Sequence, residues 1–236
     1  MQRYFAKEKK ENNFLLSDND LYHITTVMRM KDKDLIEVVY DCVLYICSLN
    51  INDKKIDIEI QNEIKNKIDD ININLILPFL KEQKQDLVIQ KATELGVSKI
   101  TFLRTERTLV KIDDKKKVDK LNRWYKIAKE ASEQSKRLDI PLIEIKDTFK
   151  DIENIEGIKL VCDTSEKSKT IKSALKKLDK CGTINIVIGP EGGLSNKEMQ
   201  YLNNIGFSSI SLGNRILRVE TVPLYILSII NYEIME

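Results

Sequence analysis

One histidine, His23, serves the whole chain of 236 residues. That scarcity excludes an HExxH metalloprotease site and leaves any histidine-based triad resting on a single side chain. Four cysteines, Cys42, Cys47, Cys162 and Cys181, form no CxxC pair and have no partnering histidines. They argue against a zinc site and read as reduced core or surface thiols. No apolar run reaches the roughly 18 residues that a membrane span needs, and Met1 to Lys10 is polar and charged, so the expectation is a cytosolic protein with no membrane contact. Neither a Walker A loop nor a GxGxxG fingerprint is present, so a phosphate cradle is not indicated. Internal repeats and low-complexity linkers are missing too.

What is there suits a folded globular chain, with 42% hydrophobic and 32% charged residues. Its length allows one large domain or two modest ones. The net charge of +2 neither demands nor forbids a polyanionic partner, because a local basic face is compatible with a balanced total. The first seventy residues carry short alternating stretches, Leu35 to Tyr40 and Lys55 to Ile60, which predict half-buried strands of a small antiparallel unit. A charged, Asn-rich stretch from Gln61 to Asn74 places the domain boundary near Asp70, giving domains 1–70 and 71–236.

Beyond it, strand and helix patterns alternate. Strands are expected at 74–78, 98–103, 159–162, 185–188 and 209–212, and helices at 82–95, 114–137, 168–178, from Ser195, and from Thr221. Gly96 and Gly206 sit where helix C-caps belong, Ser195-Asn196-Lys197-Glu198 is a capping box, and Thr221 reads as an N-cap with Pro223 in the first turn. Such alternation predicts an α/β fold with a largely parallel sheet covered on both faces.

In open α/β sheets ligands bind at the carboxyl ends of the strands, and two Gly-bearing loops fall there, Gly189 to Gly193 and Gly213 to Arg218. Facing one another, they offer backbone N–H groups without side-chain obstruction, as recognition of an adenine edge or ribose requires. Read singly, each is better read as a tight turn, since short Gly patterns are weak signals.

The stretch Ile188-Gly189-Pro190-Glu191-Gly192-Gly193-Leu194-Ser195, followed by Leu212-Gly213-Asn214-Arg215-Ile216-Leu217-Arg218-Val219-Glu220-Thr221, resembles the paired signature of the ribosomal small-subunit methyltransferase E family of the SPOUT class. Further matches are Gln90 to Val97, Ala131 to Arg137 with Pro141 beyond, Arg3-Tyr4-Phe5, and His23 to Arg29, so the likeness runs through the chain in the right order. The resemblance implies a deep trefoil knot at about 185–236, although knots are otherwise nearly absent from protein folds. It also implies an N-terminal PUA-like β-barrel that grips RNA and a homodimer packed through the knotted region. The implied activity is methyl transfer from S-adenosylmethionine to N3 of a uridine in small-subunit (16S) ribosomal RNA, with an assembled particle as the expected partner and no metal.

Carried over to this chain, the resemblance makes Gly189, Glu191, Gly192, Gly193, Leu212, Gly213, Ile216 and Leu217 the cofactor cradle. Arg218 is then the candidate to stabilise negative charge on uracil as N3 loses its proton; the other reading is a salt bridge to Glu220 or a helix-start carboxylate. Arg137 and Glu133, one helical turn apart, either line the catalytic pocket or form an exposed i, i+4 pair. Arg3, His23 and Arg29 fall in the RNA-contacting segment, with His23 equally readable as a packed structural residue. Lys115 to Lys117 reads as a solvated helix start, and Lys7, Lys9, Lys10, Lys31 and Lys33 as a candidate phosphate-binding face. Three departures from the family pattern stand out: Lys33-Asp34 in place of Gly-Asp, Asp41-Cys42-Val43 in place of a Gly-rich hairpin, and Glu220-Thr221-Val222-Pro223 in place of a Glu-Thr-Ala helix start. No general base is evident. The competing readings are a non-catalytic RNA-binding ribosome-assembly protein, which would not bind S-adenosylmethionine, and a small-molecule enzyme, which would not bind RNA.

Overall fold

A computed structural model describes residues 1–52, 55–65, 71–108, 110, 114–176 and 182–234. The chain forms two compact units, Met1–Ile68 with Lys129–Ile140, and Asp69–Ala128 with Pro141–Glu236. The boundary expected near Asp70, the end of the helix expected to reach Leu178, and Cys181 all lie outside the described residues. Among the described residues no helix is long and apolar enough to cross a membrane.

The first unit is a six-stranded sheet. Its strands are β1 (Arg3–Phe5), β2 (Glu8–Lys10), β3 (Asn13–Leu15), β4 (Leu35–Tyr40), β5 (Val43–Asn52) and β6 (Lys55–Ile64), in the order β1-β4-β5-β6-β3-β2. All neighbours are antiparallel except β1 and β4, which run parallel and so depart from the wholly antiparallel expectation. Alternation in β4 sends Ile36 and Val38 inward to a core that includes Tyr4, Phe14, Leu16, Ile24, Tyr45, Cys47, Leu49 and Ile58. The short helix α1 (Asp18–Tyr22), opened by a Ser17–Asp20 capping box, runs into a π-turn over His23–Val27.

Where the resemblance leads one to expect glycine and the sequence has none, the backbone still takes glycine-like angles. Lys33 has φ +69°, and Asp41 and Cys42 have φ +49° and +59°. Tyr40 pairs with Val43, so Asp41-Cys42 is a two-residue hairpin loop with both residues left-handed, a geometry that usually selects Asn or Gly.

The second unit holds a wholly parallel sheet of β7 (Ile71–Pro78), β8 (Lys99–Leu103), β9 (Leu142–Lys146), β10 (Ile158–Cys162), β11 (Gly182–Val187) and β12 (Ser208–Ile210). Its order is β12-β10-β11-β7-β8-β9. The helices are α2 (Glu82–Glu94), α3 (Lys117–Gln134, of which residues up to Ala128 belong here), α4 (Ile171–Leu175), α5 (Asn196–Asn204) and α6 (Thr221–Ile234). Both sheet faces are covered, as apolar strands demand: Ile76, Val161 and Val187 pack with Phe149, Ile152, Leu202 and Phe207, while the Phe102 ring on β8 lies 4.8 Å from that of Trp124 of α3, tilted by 49°.

Several element ends differ from the periodicity. A 3₁₀ turn over Asp114–Lys116 precedes α3, which stops at Gln134 rather than Arg137. Thr170 caps α4, so that helix begins three residues later than expected. Thr221 is the first residue of α6 rather than its cap, with its own N–H and that of Val222 bonded to the Arg218 carbonyl.

Candidate functional site

Because β12, β10 and β11 are adjacent and parallel, their carboxyl ends open on one edge of the sheet, and the three loops that follow them meet there. They enclose a cavity of about 590 Å³, lined by Cys162 to Thr164 after β10, Ile188 to Leu194 after β11, and Ser211 to Val219 after β12. This volume falls in the range of small-molecule and cofactor sites. Gly189, Glu191, Gly192, Gly193, Leu212, Gly213, Ile216 and Leu217 all line it, and so does Arg218.

The backbone explains the glycines at two positions. A Cβ on Gly189 would lie 3.1 Å from Leu194 Cγ and 3.2 Å from its amide nitrogen, so a side chain there would require Leu194 to give by a few tenths of an ångström. Gly213 has φ +108°, outside the left-handed well that other residues visit, while nothing lies within 4 Å of its would-be Cβ. That glycine answers to conformation rather than crowding, and it leaves open space beside the cavity. Gly193 donates its N–H to the Pro190 carbonyl at 2.8 Å, closing the first loop into a turn.

Sequence reasoning missed the contributors from β10 and β8. Cys162, Asp163, Thr164 and Lys167 line the cavity because β10 lies between β11 and β12. Arg107, after β8, donates from Nη1 to the Gly192 carbonyl at 2.7 Å. Its segment is held by Glu198, whose Oε1 accepts the Glu106 N–H at 2.8 Å while Oε2 accepts that of Ser195 at 2.7 Å. The carboxyl-end rule that selected the two Gly loops applies equally to the loops after β8 and β10, but these carry no glycine to draw the eye.

Arg218 is exposed, and among the described residues its guanidinium makes no hydrogen bond or ion pair. The expected alternative, a bridge to Glu220, is not formed as a contact: Glu220 pairs with Lys84 at 3.0 Å. Burial pushes the Cys162 thiol up to about 12, so it stays protonated near neutrality.

Arg137 and Glu133 do not line this cavity, and they do not pair with each other. They belong to the first unit. The helix α3 ends there in a Schellman motif: Lys136 is left-handed at φ +63°, its N–H reaches the Glu133 carbonyl at 3.4 Å, and the Arg137 N–H reaches that of Ser132 at 3.0 Å. This turn carries Arg137 off the helix face, where Nη2 binds Asp139 at 2.8 Å. Glu133 instead lies 2.9 Å from Lys129, which also pairs with the buried Asp20. Burial raises the Glu133 carboxyl above its ordinary range despite Lys129.

Arg3, expected in the RNA-contacting segment, is withdrawn from solvent, with a side chain 5% exposed. Its Nε binds Glu37 at 2.8 Å, while Nη1 donates to the Lys136 carbonyl and, at 3.0 Å, to that of Arg137. The guanidinium therefore ties the end of α3 to β1 and β4. His23 is half-buried, its Nδ1 2.9 Å from the Tyr4 hydroxyl, whose pKa burial, with Glu133 and Asp20, raises to about 12. Arg29 is exposed on a left-handed residue at φ +51°, and Lys7, Lys9, Lys10, Lys31 and Lys33 are exposed in the same unit.

A family model for an RNA methyltransferase domain matches residues 67–231. The chain is 34% identical over 250 residues to the ribosomal RNA small subunit methyltransferase E of Bacillus subtilis, covering 99% of this chain and 97% of that protein. It is 36% identical to the protein of the same name from Mesomycoplasma hyopneumoniae, covering 97% and 98%. Among solved structures, a ribosomal RNA small subunit methyltransferase E from Neisseria gonorrhoeae bound to S-adenosyl methionine matches with a TM-score of 0.86 at 27% identity, over 99% of this chain and 98% of that one. Those relatives span both units as well as the three-loop cavity, and the chain accordingly belongs to the ribosomal RNA small subunit methyltransferase E family.

Proposed function

We propose that the protein transfers a methyl group from S-adenosylmethionine to N3 of a specific uridine in 16S ribosomal RNA, in the cytoplasm and within an assembled small-subunit particle. The observation that carries this reading is the convergence of the 189–193 and 213–218 loops on one cavity, in a chain whose relative was solved with that cofactor bound.

The cavity fits the cofactor. Apolar side chains of Ile188, Leu194, Leu212, Leu217 and Val222 suit an adenine ring, and the open space beside Gly213 leaves the backbone accessible to polar edges. Gly189, Glu191, Gly192, Gly193, Leu212, Gly213, Ile216 and Leu217 would hold the group. When bound, S-adenosylmethionine supplies an electrophilic methyl on a positively charged sulfur. Arg218, unpaired at the rim, would stabilise the negative charge that develops on uracil as N3 loses its proton. Cys162, protonated near neutrality, does not take that proton. The loops work chiefly by orientation, which shortens the search for an in-line approach.

The order β12-β10-β11-β7, with α6 returning from the edge strand to bond α2 through Asn231 Nδ2 and the Leu95 carbonyl at 2.9 Å, supports a trefoil knot across about 185–236. The first unit, read as a PUA-like barrel, would grip RNA through His23, Arg29 and the exposed lysines, and the protein would act as a homodimer.

The test supplies labelled S-adenosylmethionine with small subunits lacking the modification and identifies the product nucleoside by mass spectrometry. N3-methyluridine is expected from the wild type. Arg218→Ala should lose transfer by at least about a hundredfold while retaining cofactor binding. RNA binding without cofactor binding would favour the assembly-protein reading, and methylation of another base would overturn the proposed specificity.

A further inference from the structure

A lysine in the first turn of a helix opposes the positive end of the macrodipole and needs compensation. Lys84 is the third residue of α2, and the N-cap residue, Lys81, makes no side-chain capping bond. Compensation comes from both Gly-bearing loops. Lys84 Nζ lies 3.0 Å from Glu220 Oε1, 3.1 Å from Glu220 Oε2 and 3.7 Å from Glu191 Oε1. Glu220 stands immediately before α6, at the end of the second loop, and Glu191 stands in the first.

The Glu220 side chain is only 14% exposed. Burial pushes its carboxyl up, but hydrogen bonds from its own backbone and from Lys84 outweigh burial and hold it below the usual carboxylate range. It therefore stays ionised, with Lys84 as the cation in contact with it and the charge of Arg218, which makes no contact with it, adding to the same effect. Lys84 is not among the residues lining the cavity. One ammonium, mounted on a helix outside the pocket, thus joins two loops that are remote in sequence and both line the cavity.

We propose that Lys84 is a positioning residue that sets the gap between the two loops and thereby the affinity for the methyl donor. The affinity part rests on the cavity being the S-adenosylmethionine site; the loop-spacing part does not. Lys84→Met keeps the aliphatic stem and removes the charge, whereas Lys84→Arg keeps a cation of similar reach.

In the full-length ligand-free protein, hydrogen exchange across 189–194 and 213–220 should accelerate about tenfold in Lys84→Met and return to wild-type rates in Lys84→Arg. Unchanged exchange in either loop overturns the proposal. Glu191→Gln removes only one arm and serves if Lys84→Met fails to fold: it should loosen 189–194 and leave 213–220 unchanged, and equal rates in 189–194 would overturn the proposal as well. Isothermal titration of S-adenosylmethionine should show Kd weakened about tenfold in Lys84→Met, with KM raised, kcat at saturation nearly unchanged, and Lys84→Arg restoring both. A fall in kcat without a change in KM would contradict a positioning role. Failure of the wild type to bind S-adenosylmethionine would sink the proposed function, while the exchange rates would still decide whether Lys84 spaces the loops.

Discussion

Glu37 faces two cations, Arg3 at 2.8 Å and Lys136 at 3.0 Å, and its pKa reflects the contest. Burial raises it, and the hydrogen bonds and charges of Lys136 and Arg3 lower it further than burial raises it. A carboxyl lowered on folding contributes stability that is complete above its ordinary pKa, 4.5, and is lost as pH falls through the lowered value. Glu37→Gln should therefore cost about 1 to 2 kcal/mol at pH 7, since it leaves a buried guanidinium short of its counter-charge. Urea unfolding at pH 7 and near pH 3 checks this: the difference between variant and wild type should shrink at the lower pH, and a constant difference would point to shape rather than charge. Cys42 offers the opposite sign. It is exposed and left-handed in a two-residue hairpin loop, so Cys42→Gly should relieve strain and gain about 0.5 to 1 kcal/mol despite the more flexible unfolded chain. A raised urea midpoint at constant slope is the expected reading.

Among the elements, α5 shows how much local signal can hide. Its capping box, Ser195 with Glu198, was legible because the residues stand three apart and follow a known pattern. The second use of Glu198, holding Glu106 from 92 residues away, has no local trace. Glu198→Ala should cost about 2 kcal/mol, because two N–H groups lose their acceptor, and hydrogen exchange should rise at both 195–198 and 105–107. A change confined to 195–198 would argue that Arg107 alone holds its segment. The long periodic elements, α2, α3, β7 and β8, were readable because each buries an extended apolar stripe. The strand β9 was not: Leu142-Ile143-Glu144-Ile145-Lys146 lies at a sheet edge with Leu142 exposed, and its short alternation is hard to tell from a loop after Pro141. The parallel pairing of β1 also went unread, since three residues carry no period. At the site, glycines marked two of the three loops. The third, after β10, became visible only once the strand order set it between them. Arg137 bonds Asp139 and Glu133 bonds Lys129 rather than each other, because a left-handed Lys136, which periodicity cannot see, ends the helix between them.

For the whole molecule, cofactor binding should register as stability. A ligand at a hundred times its Kd that binds only the folded state adds about 2.7 kcal/mol, which for a unit of this size raises the melting temperature by about 5 to 10 °C. Differential scanning calorimetry with millimolar S-adenosylmethionine checks it, and an unmoved transition would count against the proposed cofactor. The division of α3 between two units has a consequence for synthesis. Residues 129–140 supply Lys129 to the buried Asp20, Lys136 to Glu37, and two carbonyls to Arg3, yet they emerge long after β6 is complete. A nascent chain that stops short of them holds Asp20 without its lysine, and the Arg3–Glu37 pair without Lys136 and without the two carbonyls that Arg3 binds in the finished unit. Residues 1–68 made alone should accordingly stay soluble only as a loosely ordered fragment, and gain the sharp near-ultraviolet dichroism of a packed Tyr4 when a separate 117–140 peptide is added. The N-terminal unit is thus a late finisher, waiting on a piece of chain that is made in the middle of its neighbour.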